Sequence, residues 1–148
     1  MSALIYNKKA SFNYEILKKF EAGLELLGCE VKAIRAKRGS LEGSHVTVRG
    51  GEAFLIGAQI PPYQAKTAPK NFDERRNRRL LLSRKELASL AGFESTKGLT
   101  LVPISVYNKR RNLKLEIGVG RGKKKHDKRE TLKRRETDRE IRRTLKTA

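Results

Sequence analysis

The stretch Tyr14-Glu15-Ile16-Leu17-Lys18-Lys19-Phe20-Glu21-Ala22-Gly23-Leu24-Glu25-Leu26 decides the fold. Tyr14, Ile16, Phe20, Ala22, Leu24 and Leu26 fall on even positions, with Lys18 as the one interruption. A period of two puts alternate side chains on one face of an extended chain, so this is a long half-buried strand. Gly28 ends it.

Downstream the same logic repeats. Leu113, Leu115, Ile117 and Val119 alternate cleanly after the polar turn at Asn108 to Asn112. Leu99 to Val106 is an apolar run carrying Pro103, which has no N–H to give a ladder and so marks an edge or a bulge. Leu41 to Ile56 reads as a hairpin, with Val46 and Val48 alternating and Gly50-Gly51 supplying the turn. Two helices interrupt the strands. Glu30 to Ala36 places Val31 and Ile34 three apart in a segment that turns basic at Arg35, Lys37 and Arg38. Ser83 and Glu86 form a capping box, Leu82 and Leu87 occupy the staple positions, and Gly92 stands where that helix is expected to stop.

Five or six strands with two or three helices, joined mostly by short links, predict an α+β chain that is mainly β. The natural packing is an OB-like antiparallel β-barrel with flanking helices, since closing the sheet removes exposed edges and leaves a face for an oligonucleotide. The barrel is expected over residues 1–120. Composition changes at Arg121, and from there to Ala148 there are 13 Lys/Arg against 5 Asp/Glu. Leu132, Ile141 and Leu145 are the only aliphatic side chains larger than Ala in that tail. Three such side chains do not offset the entropy of ordering so long a segment, so residues 121–148 are expected to be disordered alone and to fold on a phosphate-lined surface.

The whole chain of 148 residues has Lys+Arg 35 against Asp+Glu 16, a net charge of +19. Such a surplus repels itself unless an anion is near, and nucleic acid is the usual partner. An anionic membrane would want an amphipathic basic helix with aromatic anchors, yet there is no Trp and no such apolar face. The N-terminal stretch is too soon followed by Lys8 and Lys9 to be a signal peptide, and no apolar run reaches transmembrane length. The expected compartment is the cytoplasm. One cysteine, Cys29, excludes an internal disulfide and multi-cysteine metal sites, and reads as a small half-buried side chain.

Arg75-Arg76-Asn77-Arg78-Arg79 concentrates four guanidiniums in five residues, an arrangement that calls for an anionic partner. A solvated loop is the alternative. Arg121-Gly122-Lys123-Lys124-Lys125-His126-Asp127-Lys128-Arg129 reads as an arm for an RNA backbone. The glycines Gly118, Gly120 and Gly122 lack Walker spacing, and Lys123 is followed by Lys124 where Ser or Thr would be needed. His45 reads as a strand-surface residue, and His126 sits among cations; neither has a partner at a spacing that suggests a triad or a metal site. Tyr6, Tyr63, Phe72 and Tyr107 lie near loops or strand ends, where rings can stack on bases or serve as rim. No catalysis, metal or cofactor is expected.

These blocks occur in an order that resembles the SsrA-binding protein (SmpB) family over nearly the whole chain. They include Asn7-Lys8-Lys9-Ala10, Gly28-Cys29-Glu30-Val31-Lys32-Ala33-Ile34-Arg35, Arg76-Asn77-Arg78-Arg79-Leu80-Leu81-Leu82 and the Arg121 to Arg129 segment. Cys29 departs from the Thr or Trp frequent in the family. The resemblance implies binding to the tRNA-like part of tmRNA and its delivery to ribosomes stalled without a stop codon, with a GTP-bound elongation factor engaged through tmRNA. It implies that Asn7, Glu21, Leu81 and Lys114 lie on the tmRNA-gripping face, and Lys32, Arg35, Arg76 and Arg78 join them as cationic candidates. It further places Arg121, Lys123, Lys124, His126, Asp127, Lys128 and Arg129 at the small-subunit decoding centre, with Thr144 and Leu145 in a distal tail helix. A monomer is expected. The rival readings are a structural ribosomal protein and an RNA-processing enzyme.

Overall fold

A computed structural model describes residues 3–123. Its elements run β1 (Ala3–Tyr6), α1 (Lys8–Asn13), β2 (Tyr14–Leu24), α2 (Gly28–Arg35), β3 (His45–Arg49), β4 (Glu52–Ile56), β5 (Arg78–Leu81), α3 (Arg84–Ser95), β6 (Leu99–Lys109) and β7 (Asn112–Gly122). The seven strands form one antiparallel sheet in the order β1-β6-β7-β2-β5-β4-β3. The sheet curls so that β3, at one end of that order, packs against β6, and α3 lies against both. The result is the expected α+β, OB-like architecture. The sheet extends two residues past the composition break, because Arg121 and Gly122 still pair with Glu15 and Tyr14.

The interruption at Lys18 has a structural cause. Ile16 pairs with Gly120 but Lys18 pairs with Val119, so Leu17 is the extra residue of a β-bulge and its side chain is exposed. A one-residue insertion turns all that follows to the opposite face. Phe20, Ala22 and Leu24 accordingly pack on the main core with Leu115, Ile117 and Val119, whereas Tyr14 and Ile16 pack on Ala10, Val102 and Ile104 under α1. Bare β7 backbone makes this second cluster possible: a Cβ at Gly118 would meet Ile104 Cδ1 at 2.8 Å, and one at Gly120 would meet Tyr14 Cβ at 2.9 Å. Two of the glycines that fail as a nucleotide loop, Gly118 and Gly120, are there for packing, whereas Gly122 has open space around it.

Pro103 sits at a bulge between Pro103 and Ser105, not at an edge, since β6 lies between β1 and β7. The β3–β4 hairpin turns at Gly50 and Gly51, both with positive φ, as the two-residue turn requires. The α3 capping box is present: Glu86 N–H donates to Ser83 Oγ and Ser83 N–H donates to Glu86 Oε1. Gly92 does not stop this helix, which continues to Ser95. Phe93, packed on the core and 6.2 Å from the Phe20 ring, makes continuation more favourable than the roughly 1 kcal/mol that a helical glycine costs. Cys29 is buried, and His45 is exposed on β3.

Candidate nucleic-acid interface

The register of four neighbouring strands builds a continuous outer surface. Leu81 of β5 faces Gly23 of β2, Gly23 faces Lys114 of β7, and Lys114 faces Tyr107 of β6. Directly opposed residues share a face, so these form one row, and Glu21, Glu116 and Ser105 form the next. Leu81 is 50% exposed and presents an apolar side chain on this surface. Gly23 keeps the row low beside it, for a Cβ there would come within 3.2 Å of Leu81 Cβ. Along one side runs a cleft of about 310 Å³, lined by Leu81, Lys114, Val31, Arg35 and Arg111 among others. Arg35 reaches into its rim from α2, donating from Nη2 to the Arg111 carbonyl at 2.9 Å. Lys32 is exposed on the same helix.

Thus Glu21, Leu81, Lys114 and Arg35, far apart in sequence, come to one surface. Glu21 is not bare there. Its carboxylate accepts a hydrogen bond from the Tyr107 hydroxyl and from Lys109 Nζ at 3.1 Å. The Tyr107 bond first, then Lys109 and the nearby Lys114 charge, hold the Glu21 carboxyl below its ordinary value. Burial and then the Glu21 hydrogen bond push the Tyr107 phenol well above its ordinary value, so it is a hydroxyl donor at neutral pH.

The arginine-rich block has its anionic partner inside the protein. Arg78 is fully buried: Nε donates to Glu30 Oε2 at 2.9 Å, Nη1 to the Ala58 carbonyl and Nη2 to the Glu74 carbonyl. Arg76 donates to the same carboxylate from Nε and Nη2, and Leu27 N–H adds a further bond at 2.9 Å. Burial pushes the Glu30 carboxyl up, but the Arg76, Leu27 and Arg78 hydrogen bonds outweigh it and hold the group below its ordinary value. Arg78 therefore braces β5 against α2 and presents no nitrogen to a phosphate, a correction to its placement among the RNA contacts. Arg76 is partly exposed and shares that carboxylate.

Asn7 is also inward. It is 9% exposed, its Nδ2 donates to the Pro103 carbonyl at 2.9 Å, and its backbone N–H donates to the Ile104 carbonyl. It ties the start of α1 to the β6 bulge, away from the row. Arg121 is exposed at the end of β7 and donates to Glu15 Oε2 at 2.9 Å; Lys123 N–H bonds to the Asn13 carbonyl. Lys124, His126, Asp127, Lys128, Arg129, Thr144 and Leu145 lie outside the described residues, as does the expected behaviour of the tail. Sequence reasoning passed over Tyr107 and Lys109 as partners of Glu21, because they lie 86 and 88 positions away along the chain. Among the described residues no helix is long and apolar enough to cross a membrane, and no group of His, Cys, Asp and Glu could hold a metal.

The sequence pattern of the "SmpB protein" family matches residues 4–147. The chain is 51% identical over 140 residues to the SsrA-binding protein of Gloeothece citriformis, covering 95% of this chain and 90% of that one. It is 47% identical over 148 residues to the SsrA-binding protein of Synechococcus elongatus, covering 100% and 96%. A solved chain described as "tmRNA-SmpB: a journey to the center of the bacterial ribosome" superposes with a TM-score of 0.69 at 43% identity, over 82% of this chain and 85% of that one.

Proposed function

The chain belongs to the SmpB family of SsrA-binding proteins, and from that premise we propose that it is an RNA adaptor of trans-translation, binding tmRNA and delivering it to stalled ribosomes. One observation carries the assignment of the site. Leu81, Lys114 and Tyr107 make a row on the outer sheet face, closed over the buried Gly23 and bordered by Arg35, with Lys32 exposed on the same helix as Arg35, a shape and charge suited to a folded RNA. Lys114, Arg35 and Lys32 neutralise phosphates; the exposed Leu81 side chain receives a ribose or a base. Glu21 belongs to the tmRNA site despite its charge, since a carboxylate accepts hydrogen bonds or holds a neighbouring donor in place.

The basic segment that starts at Arg121 and Lys123 supplies the second contact, with ribosomal RNA at the empty decoding centre and mRNA channel. The protein performs no chemistry of its own: peptide transfer belongs to the ribosome, and GTP hydrolysis to an elongation factor that it meets through tmRNA. It acts as a monomer in the cytoplasm. The test is binding of the tRNA-like domain to the full chain and to the R35A/K114A variant across a salt series. Each phosphate that is no longer neutralised makes the slope of log affinity on log salt shallower by about 0.7–0.9. A variant with unchanged affinity and slope removes this face from the site.

A further inference from the structure

Glu21 and Tyr107 are joined across an intervening strand. Tyr107 on β6 stands opposite Lys114 on β7, and Glu21 on β2 stands opposite Glu116 on β7. For its hydroxyl to reach the Glu21 carboxylate, the Tyr107 side chain must cross β7 between Lys114 and Glu116. An aromatic ring pinned across the outer face of a sheet is a stacking platform, the kind on which single bases of RNA are held. Lys109, whose Nζ lies 3.1 Å and 3.4 Å from the two Glu21 oxygens, is drawn to the same place from the end of β6.

The carboxylate is thus engaged by its neighbours. A bare Glu21 would repel an approaching phosphate, whereas an engaged one offsets the crowding of Lys109 and Lys114 and fixes the ring. We infer that Tyr107 is an RNA-contacting residue whose ring stacks on a nucleotide of the bound RNA, and that Glu21 is a positioning residue acting through Tyr107 and Lys109. This rests on the reading of the sheet face as the tmRNA site. It separates two roles that the sheet row alone leaves together: the group that touches RNA and the group that aims it.

The experiment is a mutant cycle on the full chain, reading affinity for the tRNA-like domain at one salt concentration, with urea midpoints measured in parallel. Removing the ring in Y107A is expected to weaken binding about tenfold or more, the scale of a single base–aromatic stack. Y107F keeps the ring but frees it, and about a threefold weakening is expected. E21A should weaken binding in the wild-type background and cost nothing further in a Y107A/K109A background, because pairs acting as a unit are non-additive. E21Q, which keeps an acceptor for the Tyr107 hydroxyl, should recover part of what E21A loses. If E21A costs as much in the double-variant background as in the wild type, Glu21 touches RNA itself and the positioning role is wrong. If Y107A binds as wild type while R35A/K114A is weakened, the platform is wrong and the tmRNA face stands. If neither set of variants changes affinity, the face itself is wrong.

Discussion

Glu21 and Glu30 are both carboxylates set among cations, and they do opposite work. Glu30 is fully buried, takes five hydrogen bonds from Leu27, Arg76 and Arg78, and closes β5 onto α2. Glu21 is partly exposed on the outer sheet face, and its partners Tyr107 and Lys109 stand on the surface proposed to meet RNA. The difference lies in depth. A buried charge that loses its partners keeps its full desolvation cost, so the Glu30 cluster belongs to stability. An exposed charge network is screened and contributes little to folding, so the Glu21 cluster is not needed for stability and is free to serve the proposed RNA contact.

The largest effect should come from breaking the inner cluster. Glu30→Ala strands the Arg78 guanidinium without its carboxylate and is expected to cost about 3–5 kcal/mol, read as a fall in urea midpoint at constant slope. A midpoint within error of wild type would mean the cluster is solvated in solution. Acid should expose the same contrast. Glu30 is held below its ordinary 4.5, so its contribution is complete above about pH 4.5 and lost as pH falls through the lower folded value. E30Q is expected to flatten that acid limb of stability; an unchanged limb would point to other carboxylates.

Next in size is the weakened RNA affinity of R35A/K114A, about tenfold or more at moderate salt with a shallower salt slope and an unchanged urea midpoint. The smallest effect distinguishes two neighbours in sequence. Arg78 points inward and Arg79 outward, where it meets Glu25 at 3.5 Å and Glu52 at 3.4 Å in solvent. R79A should change stability by no more than about 0.5 kcal/mol, while R78A should approach the Glu30 variant. Equal costs for the two arginines would erase the inner and outer distinction.

Local signals in the sequence carried most of the fold. The capping box at Ser83, the alternation of Leu113 to Val119 and the glycine pair at the hairpin each depend on residues within a few positions, and each is present. The bulge was written as the misfit Lys18, whose amine sits 5.1 Å from the Phe20 ring centroid instead of in the core. What was hidden is non-local. Strand β5 was masked by its own charge, because Arg78 reads as solvent-loving until Glu30, 48 residues earlier in sequence, is seen beside it. Gly92 was a local signal outweighed by the burial of Phe93. The same limit governed the site: family blocks brought Glu21, Leu81 and Lys114 together, but which arginine faces water is set by strand register, and period alone gives no partner.

That the outer sheet row grips folded RNA is best tested by the affinity of the full-length L81A/K114A variant for the tRNA-like domain, measured beside its urea midpoint at one salt concentration. Binding should weaken by about tenfold or more with the midpoint unmoved, since Leu81 is half exposed and Lys114 faces outward from β7. Wild-type affinity in that variant would contradict the account.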